Sequence, residues 1–145
     1  MKRTISIIAL ALITIGSYSF VSENNAKTVA ESYQGGYHYD LEWEAFKEAV
    51  YAKNADDLNY FLPEGSAYTA DEILMLCGED YVINAMKKTT YEKLGDSEYN
   101  GNYAKEFSAT VSGTDEEGNE YESGIFLYFE EGLEGLRLVN VLAAG

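Results

Sequence analysis

Ser123–Val141 reads SGIFLYFEEGLEGLRLVNV, and its two apolar runs decide the fold. Ile125–Phe129 and Leu136–Leu142 are dense in aliphatic, aromatic and β-branched residues, and a polar, glycine-bearing turn, Glu130–Gly135, separates them. Two such runs across a short glycine-containing loop predict an antiparallel hairpin. Side chains alternate across a strand, so Ile125, Leu127 and Phe129 share one face, and Phe126 and Tyr128 the other. The same alternation in the second run sets Leu136, Leu138 and Leu142 against Val139 and Val141. Apolar groups on both faces place the hairpin inside a sheet with helices on one side and a partly open surface on the other.

Upstream, two further strands are expected. Ser97–Asn100 and Asn102–Ser112 meet at Asn100-Gly101, a tight-turn signal. Thr114–Asn119 joins that long strand to Glu120–Phe129, and Thr90–Leu94 also has strand character. Before the strands come helices. Asp40 is the expected N-cap of Leu41–Lys53, in which Trp43, Phe46, Ala49, Val50 and Lys53 recur at spacings of three and four, with Glu42, Glu44, Lys47 and Glu48 elsewhere. Asn54 caps a short continuation, Ala55–Leu62, stopped by Pro63-Glu64-Gly65. Thr69 and Glu72 form a capping box for a third helical stretch that breaks near Gly78 and resumes through Lys88. The expected fold class is α+β: N-terminal helices packed on one face of a curved four-stranded antiparallel meander.

Bulk properties bound the function. The 145 residues carry 10 basic and 25 acidic side chains, a formal charge of −15. A nucleic-acid partner needs a basic patch, and none is present. Met1–Phe20 has a basic start, an apolar Ile5–Ile15 and a small-residue exit, the pattern of a secretory signal with cleavage after Ser19 or Ser22. Its apolar run is too short to span a bilayer core of about 30 Å. Residues 1–22 are therefore expected to be a signal peptide, 23–39 a flexible leader, and 40–145 a single domain, exported to a bacterial periplasm or beyond the cell, with no membrane attachment after cleavage. Loss of Lys2 and Arg3 leaves eight basic residues against 25 acids, a formal charge of −17. Cys77 is the one cysteine, so no intramolecular disulfide forms, and its setting in Ile73–Cys77 predicts a buried, inert thiol.

Three stretches carry a family resemblance. Trp43–Leu62 (WEAFKEAVYAKNADDLNYFL), Tyr99–Val111 (YNGNYAKEFSATV) and Gly135–Val141 (GLRLVNV) together resemble small exported members of the nuclear transport factor 2-like superfamily, also called cystatin-like. The last stretch is similar to that family's Gly-Trp-Lys-Leu-x-x-Val ending, with Leu136 where the aromatic usually stands. The resemblance implies a cone-shaped α+β fold and a pocket; the superfamily includes isomerases, dehydratases, transport adaptors and binding domains, so it implies no single activity.

Chemistry-bearing residues are few. Enzymes resembling ketosteroid isomerase set an Asp base and a Tyr or protonated Asp donor in the cone, and Tyr128, with Tyr103 or Tyr91, is the nearest counterpart. His38 is the one histidine, with Asp40 two residues on. Asp115–Glu120 alternates oxygen donors but lacks the glycine and glutamate positions of a calcium loop, and reads as a solvated turn. Thirteen tyrosines are the compositional oddity. Tyrosine is enriched at recognition surfaces, and Tyr37, His38, Tyr39 and Trp43, with Tyr103 and Tyr128, are the expected ligand-binding residues. No catalytic residue, metal or cofactor is assigned. The expected function is a non-enzymatic binding domain for an unknown small molecule or protein, with homodimerisation through the sheet face. A lyase or isomerase using a Tyr/Asp pocket, and an inhibitor or immunity-type protein docking a basic partner, are the alternatives.

Overall fold

A computed structural model describes residues 38–145; the expected signal peptide and most of the expected leader, Tyr37 included, lie outside the described residues. Helices α1 (Tyr39–Tyr51), α2 (Ala55–Asn59), α3 (Ala70–Cys77) and α4 (Asp80–Lys88) precede strands β1 (Gly95–Tyr99), β2 (Asn102–Thr114), β3 (Glu120–Gly132) and β4 (Gly135–Ala144). The strands form one antiparallel sheet in the order β1-β2-β3-β4. This is the α+β architecture expected from the order of periodic segments. Among the described residues no helix is long and apolar enough to cross a membrane.

Several local signals act as anticipated. Thr69 and Glu72 make the reciprocal capping box, and Asn54 accepts from the Asp56 and Asp57 amides at 3.1 and 3.2 Å. Asn100 and Gly101 both take positive φ, the conformation of a two-residue hairpin whose twist matches its strands. Gly78 ends α3, and α4 begins two residues later.

Elsewhere the structure departs from expectation. The first helix begins at Tyr39, with His38 at the cap position and no side-chain cap; Asp40 lies in the first turn, where its charge faces the helix dipole. That helix ends at Tyr51, because the chain turns through a left-handed Lys53. Thr90–Leu94 is not a strand: Tyr91–Lys93 is a 3₁₀ turn. Trp43 Nε1 and Lys47 Nζ both donate to the Thr89 carbonyl, at 2.9 and 3.2 Å, so the backbone there is tied to α1 and pairing starts only at Gly95. The helix expected to continue to Leu62 ends at Asn59 and carries on as 3₁₀-type bonds from Phe61 to Leu58 and Leu62 to Asn59.

Strict alternation also fails in β4. Tyr128 pairs with Asn140 but Phe129 pairs with Leu138, so Val139 is an extra, bulged residue. A bulge shifts the side-chain parity beyond it. Val141 therefore joins Leu136 and Leu138 on the buried face, and Leu142 is 49% exposed.

Helices and sheet enclose an aromatic core. Trp43 lies within 5.7 Å, centroid to centroid, of Phe46, Phe107 and Phe129, and Phe46 stacks edge-on to Phe61 and Phe129 at 5.3 and 5.0 Å. All five rings are at most 1% exposed. Edge-to-face geometry suits the ring quadrupoles. Phe126 takes no part; it lies on the opposite face, paired with Leu142. Truncating Trp43→Ala is expected to cost roughly 3–5 kcal/mol, read as a lower urea midpoint at unchanged slope. A wild-type midpoint would contradict its core position.

Candidate functional site

The aromatics selected from the sequence divide into three groups. Trp43, expected at a binding surface, is fully buried and belongs to the core. Tyr128 lies on the sheet face away from the helices, where it stacks on Tyr99 at 6.3 Å and stands opposite Glu106. Burial, followed by Glu106, raises its hydroxyl pKa. Tyr39 and Tyr103 are joined through Tyr91, named from the sequence only as a companion of Tyr128, and through two residues not selected from the sequence, Asp96 and Lys105.

Each arrives by a different route. Tyr39 opens α1, Tyr91 opens the 3₁₀ turn, and Asp96 and Lys105 are direct partners across β1 and β2. Tyr103 is two residues before Lys105, hence on the same face. The rings of Tyr39 and Tyr91 are 6.2 Å apart. Lys105 Nζ lies 5.8 Å from the Tyr91 ring centre and 5.6 Å from that of Tyr103. Asp96 Oδ1 accepts from both Lys105 Nζ and Tyr103 Oη at 2.6 Å. These bonds hold the Asp96 carboxyl below the usual range, through Lys105 first and Tyr103 second, and raise the Lys105 ammonium in turn. Tyr39 donates to the Gly132 carbonyl at 3.2 Å, while the buried Tyr91 hydroxyl has no hydrogen-bond partner. The result is a cradle of two phenol rings and a carboxylate around one ammonium, with the Tyr39 ring packed behind Tyr91. Tyr103 is 51% exposed, so the cradle opens to solvent. His38 is exposed beside it in sequence, its Nδ1 3.9 Å from Asp40 Oδ1.

A second polar cluster is sealed. Glu42, expected on the polar face of α1, is buried, with Oε2 accepting from the Leu136 amide at 2.6 Å and Oε1 from Tyr60 Oη at 3.2 Å. The Arg137 guanidinium lies 4.6 Å from the Tyr60 ring centre. A Cβ on Gly135 would collide with the Glu42 carboxylate, so glycine is required there on space as well as on its φ of +97°. This is a raised-pKa carboxylate beside a Tyr hydroxyl, the pairing an isomerase would need, but both oxygens are engaged by protein and the backbone closes over it. It is a clasp between α1 and β4.

Cys77 is buried, and burial pushes its thiol up to about 12, which suppresses the reactive thiolate. The Asp115 carboxylate accepts from the amides of Glu117 and Asn119 at 2.9 and 2.8 Å, so the acidic loop spends its first carboxylate on its own turn.

The chain matches no protein-family model, no curated protein and no solved structure.

Burial raises the Glu42 pKa from its ordinary 4.5, against the lowering effects of Leu136, Tyr60 and Arg137. A raised carboxyl favours the folded state fully below the unfolded value, and that contribution is lost as pH rises through the folded one. Glu42→Gln keeps an acceptor for the Leu136 amide and removes the titration. Its stability relative to wild type is therefore expected to climb as pH rises above 4.5. Urea unfolding at several pH values checks this; a pH-independent difference would contradict it.

Proposed function

We propose that this chain is an exported, non-enzymatic binding domain that recognises a basic protein partner through the Tyr39–Tyr91–Tyr103–Asp96 cradle. One observation carries the reading: phenols and a carboxylate converge on an ammonium at an open corner, while the aromatic rings of the core are buried. Lys105 marks the chemistry the cradle accepts, since aromatic faces and a carboxylate attract a cation together. The acidity of the chain, −15 overall, supports a basic partner and steers it in. The basic start and apolar run of Met1–Phe20 support export. The order of helices followed by a meander supports kinship with nuclear transport factor 2-like domains, with the cone filled. On the outer sheet face, Phe126 and half-exposed Leu142 are where a homodimer would form, but Glu106 and Glu130 on that face oppose close approach of a second copy.

Hexalysine peptide titrated against the domain, followed by calorimetry, tests the reading. Tyr103→Ala is expected to weaken binding by roughly 2- to 30-fold, the range of about 0.5–2 kcal/mol for one cation–π contact. Lys105→Met vacates the cradle and is expected to tighten binding. Equal affinity in all three proteins would overturn the cradle as the recognition site.

A further inference from the structure

The two edges of the sheet are finished differently. On β4, outward-pointing backbone groups are occupied from the helical layer: Glu42 takes the Leu136 amide, the Phe61 carbonyl takes the Leu138 amide at 2.8 Å, and Tyr68 Oη donates to the Val141 carbonyl at 2.7 Å. On the other side, β1 has five residues against the 13 of β2 and pairs only with Asn102–Glu106. From Phe107 to Thr114, β2 has β3 on one side and, among the described residues, no strand on the other. Among the described residues, none of these makes a backbone hydrogen bond outside the sheet. In an antiparallel register every second residue there directs both its N–H and its C=O to the empty side.

Proteins usually blunt such an edge with charge, proline, a bulge or a cover. β1 follows the rule, with Asp96 and Glu98. The free stretch Phe107-Ser108-Ala109-Thr110-Val111-Ser112-Gly113-Thr114 has no charge and no proline, and the bulge of this sheet lies between β3 and β4. Helix α4 packs on its inner face, where Phe107 and Ala109 are buried, and leaves Ser108, Thr110 and Ser112 exposed.

The far end of this edge has a receptacle. Ser112, Gly113, Thr114, Glu120, Tyr121 and Glu122 line a depression of about 470 Å³. The Tyr121 ring lies over Gly113 so closely that a Cβ there would fall 2.7 Å from its hydroxyl, so the ring reaches across β2 towards the open side. The connecting loop adds Asp115, Glu116 and Glu117, and no basic residue lies between Thr114 and Glu122.

We propose that the β2 edge from Phe107 to Thr114 is a strand-addition site for an extended segment of another protein, running antiparallel to β2, with a lysine or arginine near the segment's N-terminal end. Main-chain bonds along the edge supply affinity, and the Glu120 and Glu122 carboxylates, which stand opposite Thr114 and Ser112 on one face, attract the basic side chain. Antiparallel pairing places the segment's N-terminal end beside Thr114, which sets the position of the base. The site is separate from the tyrosine cradle and does not depend on it.

The test uses two octapeptides of alternating threonine and valine, one with lysine at its first position and one with lysine at its last. Amide hydrogen exchange of the domain is followed by NMR. The first peptide is expected to slow exchange at alternate residues between Phe107 and Thr114 by at least tenfold, and to bind more tightly than the second. Glu120→Gln combined with Glu122→Gln is expected to abolish that preference while keeping the protection; Thr110→Asp is expected to abolish protection, and Tyr103→Ala to leave it unchanged. No protection with either peptide would overturn the proposal. So would protection that rises with domain concentration in the absence of peptide, which would make a second copy the occupant, or loss of protection in Tyr103→Ala, which would place the peptide in the cradle.

Discussion

Trp43 is the side chain on which the rest of the structure depends. Its ring meets α1's own Phe46, Phe107 from β2 and Phe129 from β3, so one residue joins the helical layer to the two central strands. Its indole N–H, which would be costly to bury unpaired, donates to Thr89 and draws in the chain that links α4 to the sheet. The 3₁₀ turn, the late start of β1 and the position of Tyr91 over Tyr39 all follow from that bond and its companion from Lys47.

The helical layer is attached to the sheet by polar contacts as well as by packing. Glu42, Phe61 and Tyr68 meet successive backbone groups of β4 and cover that edge, so helix docking and edge protection are the same interaction. A sheet has two edges, and the helices cover one. The short, acidic β1 partly guards the other, and the uncharged remainder of β2 is what is left over. The buried aromatic core, covered β4 edge and open β2 edge together direct the proposed binding roles to the exterior.

Much of this was legible in the sequence. Apolar spacing marked α1, Thr69 with Glu72 marked the start of α3, and Asn100-Gly101 marked the turn between β1 and β2, because each is a local signal with a local cause. Burial of Ile125, Leu127 and Phe129 followed from alternation alone. The bulge at Val139 was not legible: alternation carries no sign of an inserted residue, so Val141 and Leu142 exchanged faces. Glu42 looked like a solvent-facing residue, since nothing in α1 reveals that its carboxylate meets an amide 94 positions away. Of the candidate site, Tyr39 and Tyr103 were found through tyrosine enrichment. Asp96 and Lys105 were missed because their pairing depends on strand register, and Tyr91 was named only as a companion of Tyr128, because Thr90–Leu94 read as a strand. Trp43 was misplaced for the reason it matters: a large aromatic near tyrosines suits a binding surface and a core equally well.

Every functional role assigned to the exterior depends on a closed interior, and the chain has one tryptophan with which to test it. Fluorescence of Trp43, excited selectively over the tyrosines, with acrylamide as quencher, is the most direct measurement. A buried, hydrogen-bonded indole predicts blue-shifted emission that acrylamide barely quenches until urea unfolds the domain. Emission like that of a solvated indole, freely quenched in the native protein, would show an open cone and would return the search for function to the interior.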